Sequence, residues 1–152
     1  MTNHIITKTT TQNQTLVGRF AARLAAGRYR MVVRSLQMEA PDEFARIIAR
    51  ADPALDAGLA SEVERLLRTG GAPFVRFDQT LMPKMIDRFG VTTEQLETLS
   101  HNELKVMQKS CNSCAETARC WNALRSGHNA EQCREFCPNS AAFEELLSSH
   151  SY

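Results

Sequence analysis

All five cysteines of this 152-residue chain fall between Cys111 and Cys137. Cysteine is scarce in ordinary domains, so a segment this dense in thiols points to work that thiolate sulfur does well: binding a soft or borderline metal, or exchanging disulfides. The rest of the chain is read around that demand. There is no long apolar run of the kind that spans a bilayer, and the N-terminus lacks the basic-then-apolar pattern of a secretory signal. A cytoplasmic address is the expectation. In that reducing compartment the cluster reads as a metal or redox site and not as a permanent disulfide framework.

Hydrophobic content of 43% and charged content of 23% suit a globular protein. Residues 1–15 are rich in Thr, Asn and Gln without a hydrophobic period and read as a mobile tail. From Leu16 to about Met38 the residues suit a helix. A second begins at Pro41, with Asp42 and Glu43 at its positive end, and a third is expected from Pro53 to Arg68. Thr69-Gly70-Gly71-Ala72-Pro73 stops it and marks a boundary between an N-terminal helical region, 16–72, and a cysteine-rich helical domain, 73–152. Asp78 is placed to cap a helix carrying Leu81, Met82, Met85, Ile86 and Phe89, closed by Gly90. Met82 and Met85 read as core packing at helical spacing. Capping-box patterns at Thr92 to Gln95 and Ser100 to Glu103 open two short helices, the second running into Cys111. Ala115 to Arg125 is helical with Gly127 as its stop, and Pro138 and Asn139 lead into a last helix. No stretch alternates as a strand would, so the expected fold is all-α, a small helical metal-binding domain preceded by a helical region.

Charge is laid out unevenly. Residues 1–38 carry six bases and no acid, residues 39–77 sum to −2, and residues 78–152 to −3. On a helical wheel of about 100° per residue, Arg19, Arg23, Arg30 and Arg34 share a stripe of roughly 60°, while Val17, Phe20, Ala21, Leu24, Met31 and Val32 gather on another face. Such a helix can lay its apolar side on the body and offer its arginines to nucleic acid, lipid headgroups or an acidic partner. The simpler reading is a solvated face of a structural helix. No DNA-reading motif accompanies it.

Two residues separate Cys111 from Cys114, five separate Cys114 from Cys120, twelve lie before Cys133 and three more before Cys137, which Pro138 follows. The opening pair lets two sulfurs reach one centre without backbone strain, as in zinc and iron-sulfur sites. Two ligand sets stay open. A zinc ion suits Cys111, Cys114, Cys133 and Cys137, which leaves Cys120 idle. A [4Fe-4S] cluster suits Cys111, Cys114, Cys120 and Cys137, with the fourth cysteine remote and followed by proline, and leaves Cys133 idle. A thioredoxin-like role for Cys111 and Cys114 lacks the βαβ context it needs.

From about Leu81 to Leu147 the chain resembles a small proteobacterial cysteine-rich family of unknown function. The likeness rests on Met82, Met85 and Gly90, then Cys111 and Cys114, then Cys120-Trp121, and finally Phe136-Cys137-Pro138-Asn139 with Phe143 and Leu146. The resemblance implies that Cys111, Cys114, Cys120 and Cys137 are the recurring thiols and that Cys133 is an addition, which favours the cluster set. It implies no activity.

Trp121, Phe136 and Pro138 stand beside the thiols, where they either shield a centre from water or serve as core anchors. His128 follows Gly127 in a loop and reads as an exposed polar residue. No acid, base or nucleophile apart from the thiols stands out, so no enzymatic activity is assigned. The sequence leads to an expected small iron-sulfur protein holding one [4Fe-4S] cluster, in electron transfer or in sensing redox state, oxygen or iron, with a protein redox or regulatory partner. The alternative is a Zn2+-stapled module whose basic helix binds nucleic acid or an acidic partner.

Overall fold

Helical periodicity governs the chain throughout. The computed structural model describes the backbone of residues 7–149 and the side chains of residues 16–149, and among them there is no strand. The elements are α1 (Thr7–Glu39), α2 (Pro41–Arg50), α3 (Ala57–Thr69), α4 (Phe77–Phe89), α5 (Thr93–Glu97), α6 (His101–Asn112), α7 (Thr117–Arg125), α8 (Ala130–Arg134) and α9 (Ser140–Ser148). The fold is all-α.

Local chemistry explains most boundaries. Pro41 opens α2 at a position where its missing amide costs nothing. Asp56 caps α3 by accepting from the amides of Gly58 and Leu59, so that helix begins at Ala57 and not at Pro53. Gly90 ends α4 at φ 75, a left-handed conformation that costs glycine little. Reciprocal capping boxes open α5 at Thr92 and Gln95, α6 at Ser100 and Glu103, and α8 at Asn129 and Gln132. The last of these helices was not expected from the sequence, because its box opens with Asn129 in place of the serine or threonine that marks the other two.

Three further expectations change. The expected tail spanned 1–15; its first six residues lie outside the described ones, and α1 begins at Thr7. Adding a residue to an existing helix is far cheaper than nucleating one, which lets α1 run back through a segment of modest propensity. Asp78 does not cap α4, which starts at Phe77 after Arg76; its buried carboxylate is held by Arg76 at 2.8 Å and 3.2 Å. The apolar face assigned to Val17, Phe20, Leu24, Met31 and Val32 is not laid on the body, since all five are more than half exposed.

What α1 does bury lies nearer its C-terminus. Val33 is fully enclosed, Leu36 packs at the edge of the core, and the Tyr29 ring sits against Gly58 while its hydroxyl donates to Asp56. These contacts seat α1 on α2 and α3. Helix α2 packs in turn on α4, and α3 packs on α7. Helix α4 is the hub, touching α6, α7 and α9 as well, with Leu81, Met82, Met85 and Phe89 buried. Pro83 is tolerated inside α4 because the carbonyl it leaves without an amide belongs to Gln79, which faces solvent. The turn at 70–73 separates α3 from α4, and the buried core continues across it from Val33 to Leu146.

Candidate metal centre

Four positions in the chain bring thiols to the lining of one cavity. Cys111 lies on the last turn of α6, Cys114 lies in the turn between α6 and α7, and Cys120 rides one turn into α7. Cys137 sits in the turn between α8 and α9, whose backbone is closed by the amides of Cys137 and Ser140 bonding to the carbonyls of Cys133 and Cys137. All four thiols line one narrow cavity of about 20 Å3, room for about one water molecule. Leu81, Met82, Met85 and Phe143 form an apolar wall, and Phe136, Pro138, Thr117 and Asn139 complete it.

Cys133 is not part of this wall. It is fully buried in the core on α8, and burial raises its pKa while Arg88 works in the opposite direction. The five thiols are thus divided into four that share a cavity and one that packs.

Removal from water is the dominant influence on Cys111, Cys120 and Cys137. It pushes Cys111 up to about 12 with added repulsion from Cys114, Cys137 and Asp78. Cys120 is raised further by burial and then by Cys137, Cys111, Cys114 and Cys133. Cys137 is also raised by burial, although backbone amides of Asn139 and Ser140 bond to its sulfur and partly offset the effect. Four thiolates are therefore unfavourable together in this cavity without a cation to balance them, and a metal that binds must displace protons.

The backbone supplies complementary polarity. The Glu116 amide donates to Cys114 Sγ at 3.3 Å just ahead of α7, as those of Asn139 and Ser140 do to Cys137 just ahead of α9. Two helix N-termini thus direct partial positive charge toward bound sulfur. Asn139 is buried and donates to the Met107 carbonyl at 2.9 Å and to Met82 Sδ at 4.0 Å, which ties the Cys137 turn to α4 and α6. Asn112, next to Cys111, accepts from the Asp78 amide at 3.1 Å and fixes the end of α6 against the start of α4. These anchoring roles depend on neighbours far away in sequence. Only Asn139 was signalled beforehand, by its place after Cys137 and Pro138.

Other expected residues are distributed differently. Phe136 and Pro138 line the cavity, and Arg119 stacks on the Phe136 ring at 4.9 Å. Trp121 is fully enclosed in the core and outside the cavity wall, with Arg125 over its ring at 4.5 Å and its indole nitrogen without a partner. His128 is exposed, its carbonyl accepting from Arg88. Arg19, Arg23, Arg30 and Arg34 lie on α1 with their side chains exposed, and Arg30 reaches buried Glu62 at 3.9 Å. None of the four lines the thiol cavity. Among the described residues, no three His, Cys, Asp or Glu side chains are drawn together as a ready site for a single ion, and no helix is long and apolar enough to cross a membrane.

No curated protein and no solved structure matches the chain. Residues 74–149, half of the chain and all of the thiol cavity, match the family described as Family of unknown function (DUF6455), and the chain belongs to that family.

Proposed function

We propose that the protein is a small iron-sulfur protein in which Cys111, Cys114, Cys120 and Cys137 hold one [4Fe-4S] cluster, serving in electron transfer or in sensing redox state, oxygen or iron. The observation that carries this reading is the division of the cysteines: Cys120 lines the shared cavity and Cys133 does not. That is the set with three ligands from one local segment and a remote fourth before proline, and it differs from the zinc set that needs Cys133. The chemistry of the site fits. Sulfur donors, an apolar wall and backbone amides aimed at sulfur are the means by which proteins hold such clusters and tune their potential.

The cavity is narrower than the cube. Cys111, Cys114 and Cys137 stand on a helix end and two turns and are half-buried, so these are the thiols that would have to move outward to admit it. The bound centre would also be close to solvent on two sides. Cys114 borders a surface depression beside α3, and Phe136 borders another beside α7. Either edge offers a short route to a redox partner.

Metal and acid-labile sulfide analysis of protein purified without air tests the proposal. The expected result is a brown protein with about four iron and four sulfide per chain. A colourless protein carrying one zinc per chain overturns it and leaves a zinc-stapled module in its place.

A further inference from the structure

Helix α1 has two apolar sides, and only one is used. Tyr29, Val33 and Leu36 meet the body. About half a turn around the helix lie Leu16, Val17, Phe20, Leu24, Met31 and Met38, within an arc of roughly 100° at 100° per residue. Each is between 54% and 75% exposed. From Leu16 to Met38 the ridge runs for about 33 Å at 1.5 Å per residue. It is turned away from the rest of the molecule.

Charge argues for what covers this ridge. Arg19, Arg23, Arg30 and Arg34 run along one edge, Arg28 lies on the other, and residues 1–38 contain no acid. Nucleic acid would satisfy the arginines but leave the apolar side chains in water. A second copy of the helix would bury the apolar strip but bring arginine rows together in which, among the described residues, Arg30 alone has a carboxylate, Glu62, within reach. An anionic bilayer surface satisfies both. Acyl chains receive the apolar ridge while arginines at its two edges reach the phosphate level by extending their long side chains.

We infer that α1 is an in-plane membrane anchor that docks the protein on an anionic lipid surface, with the apolar ridge inserted and the helical body held on the aqueous side. This does not rest on the cluster proposal, because no residue of the ridge lines the thiol cavity.

The test uses the full chain with Phe20→Trp. Trp121 is enclosed in the core and supplies a constant background, so a change in emission reports on position 20. Mixed phosphatidylglycerol and phosphatidylcholine vesicles should shift the emission to the blue and sediment the protein, whereas phosphatidylcholine alone should do neither. In the native sequence, Arg19→Gln with Arg23→Gln should weaken vesicle binding by about tenfold or more. Phe20→Glu with Leu24→Glu should weaken it by about a hundredfold. These side chains are exposed, and an unchanged far-ultraviolet spectrum verifies that the variants fold. Absence of vesicle binding, or binding equal in the native and Phe20→Glu/Leu24→Glu proteins, overturns the inference. If that double variant instead abolishes a dimer or the binding of an acidic protein, and vesicles are ignored, the occupant is a protein and the membrane reading fails.

Discussion

Individual thiols differ in consequence because their surroundings differ. Cys120→Ser should abolish the metal centre, as measured by iron and sulfide content, while Cys133→Ser should retain it. The second change places a hydroxyl in an enclosed core position, so it should lower stability by about 1–3 kcal/mol in chemical denaturation without changing metal content. Loss of the centre in Cys133→Ser and its survival in Cys120→Ser would reverse the ligand assignment. Titration offers a further check on metal-free protein. The folded state holds Cys111 well above the ordinary thiol value of 9.0, up to about 12, chiefly through burial. A folded pKa raised in this way contributes stability at pH below the unfolded value, and the contribution is lost as pH climbs through the window toward the folded one. The melting temperature of metal-free protein should therefore fall between about pH 9 and pH 12, and bound metal should suppress the fall by holding the thiolates.

Helices reach their places through a few junctions between elements. Asn139 precedes α9 and donates to the carbonyl of Met107 in α6. Asn139→Ala removes this buried side-chain hydrogen bond, one made in addition to the helical bond of the Met107 carbonyl, and should cost about 1 kcal/mol. It should also loosen the Cys137 turn, seen as faster loss of metal to a chelator; unchanged stability and chelation rates would remove Asn139 from this role. The junction of α1 and α3 is equally specific. A Cβ at Gly58 would lie 2.1 Å from Tyr29 Cε2, so Gly58→Ala must displace the ring that seats α1. The gain in helix propensity, about 1 kcal/mol, is opposed by overpacking worth about 1–3 kcal/mol. We expect net destabilisation in denaturant, relieved by a smaller side chain at position 29.

The whole molecule shares one buried core. Because α2 packs on α4 and α3 on α7, residues 16–72 and the cysteine-rich segment support each other across the turn at 70–73. Trp121 fluorescence and the far-ultraviolet helical signal of the body should thus be lost in one transition, and two separated transitions would show independent units. The sequence by itself determined the helical class, the breaks at Pro41, Gly90 and Gly127, and two of the capping boxes. Each depends on residues a few positions apart, and backbone conformation is set over that distance. It also confined the thiol chemistry to Cys111 through Cys137. Two ligand sets remained compatible with the spacing, since spacing says which thiols can meet and not which face a helix turns inward. Tertiary packing decided that Cys120 lines the cavity beside Met82 and Met85 while Cys133, though close by, is enclosed in the core behind the wall. It likewise decided which apolar side of α1 meets the body. Both sides are apolar in sequence, and only the surfaces offered by α2 and α3 distinguish Val33, which they cover, from Phe20, which they leave in solvent.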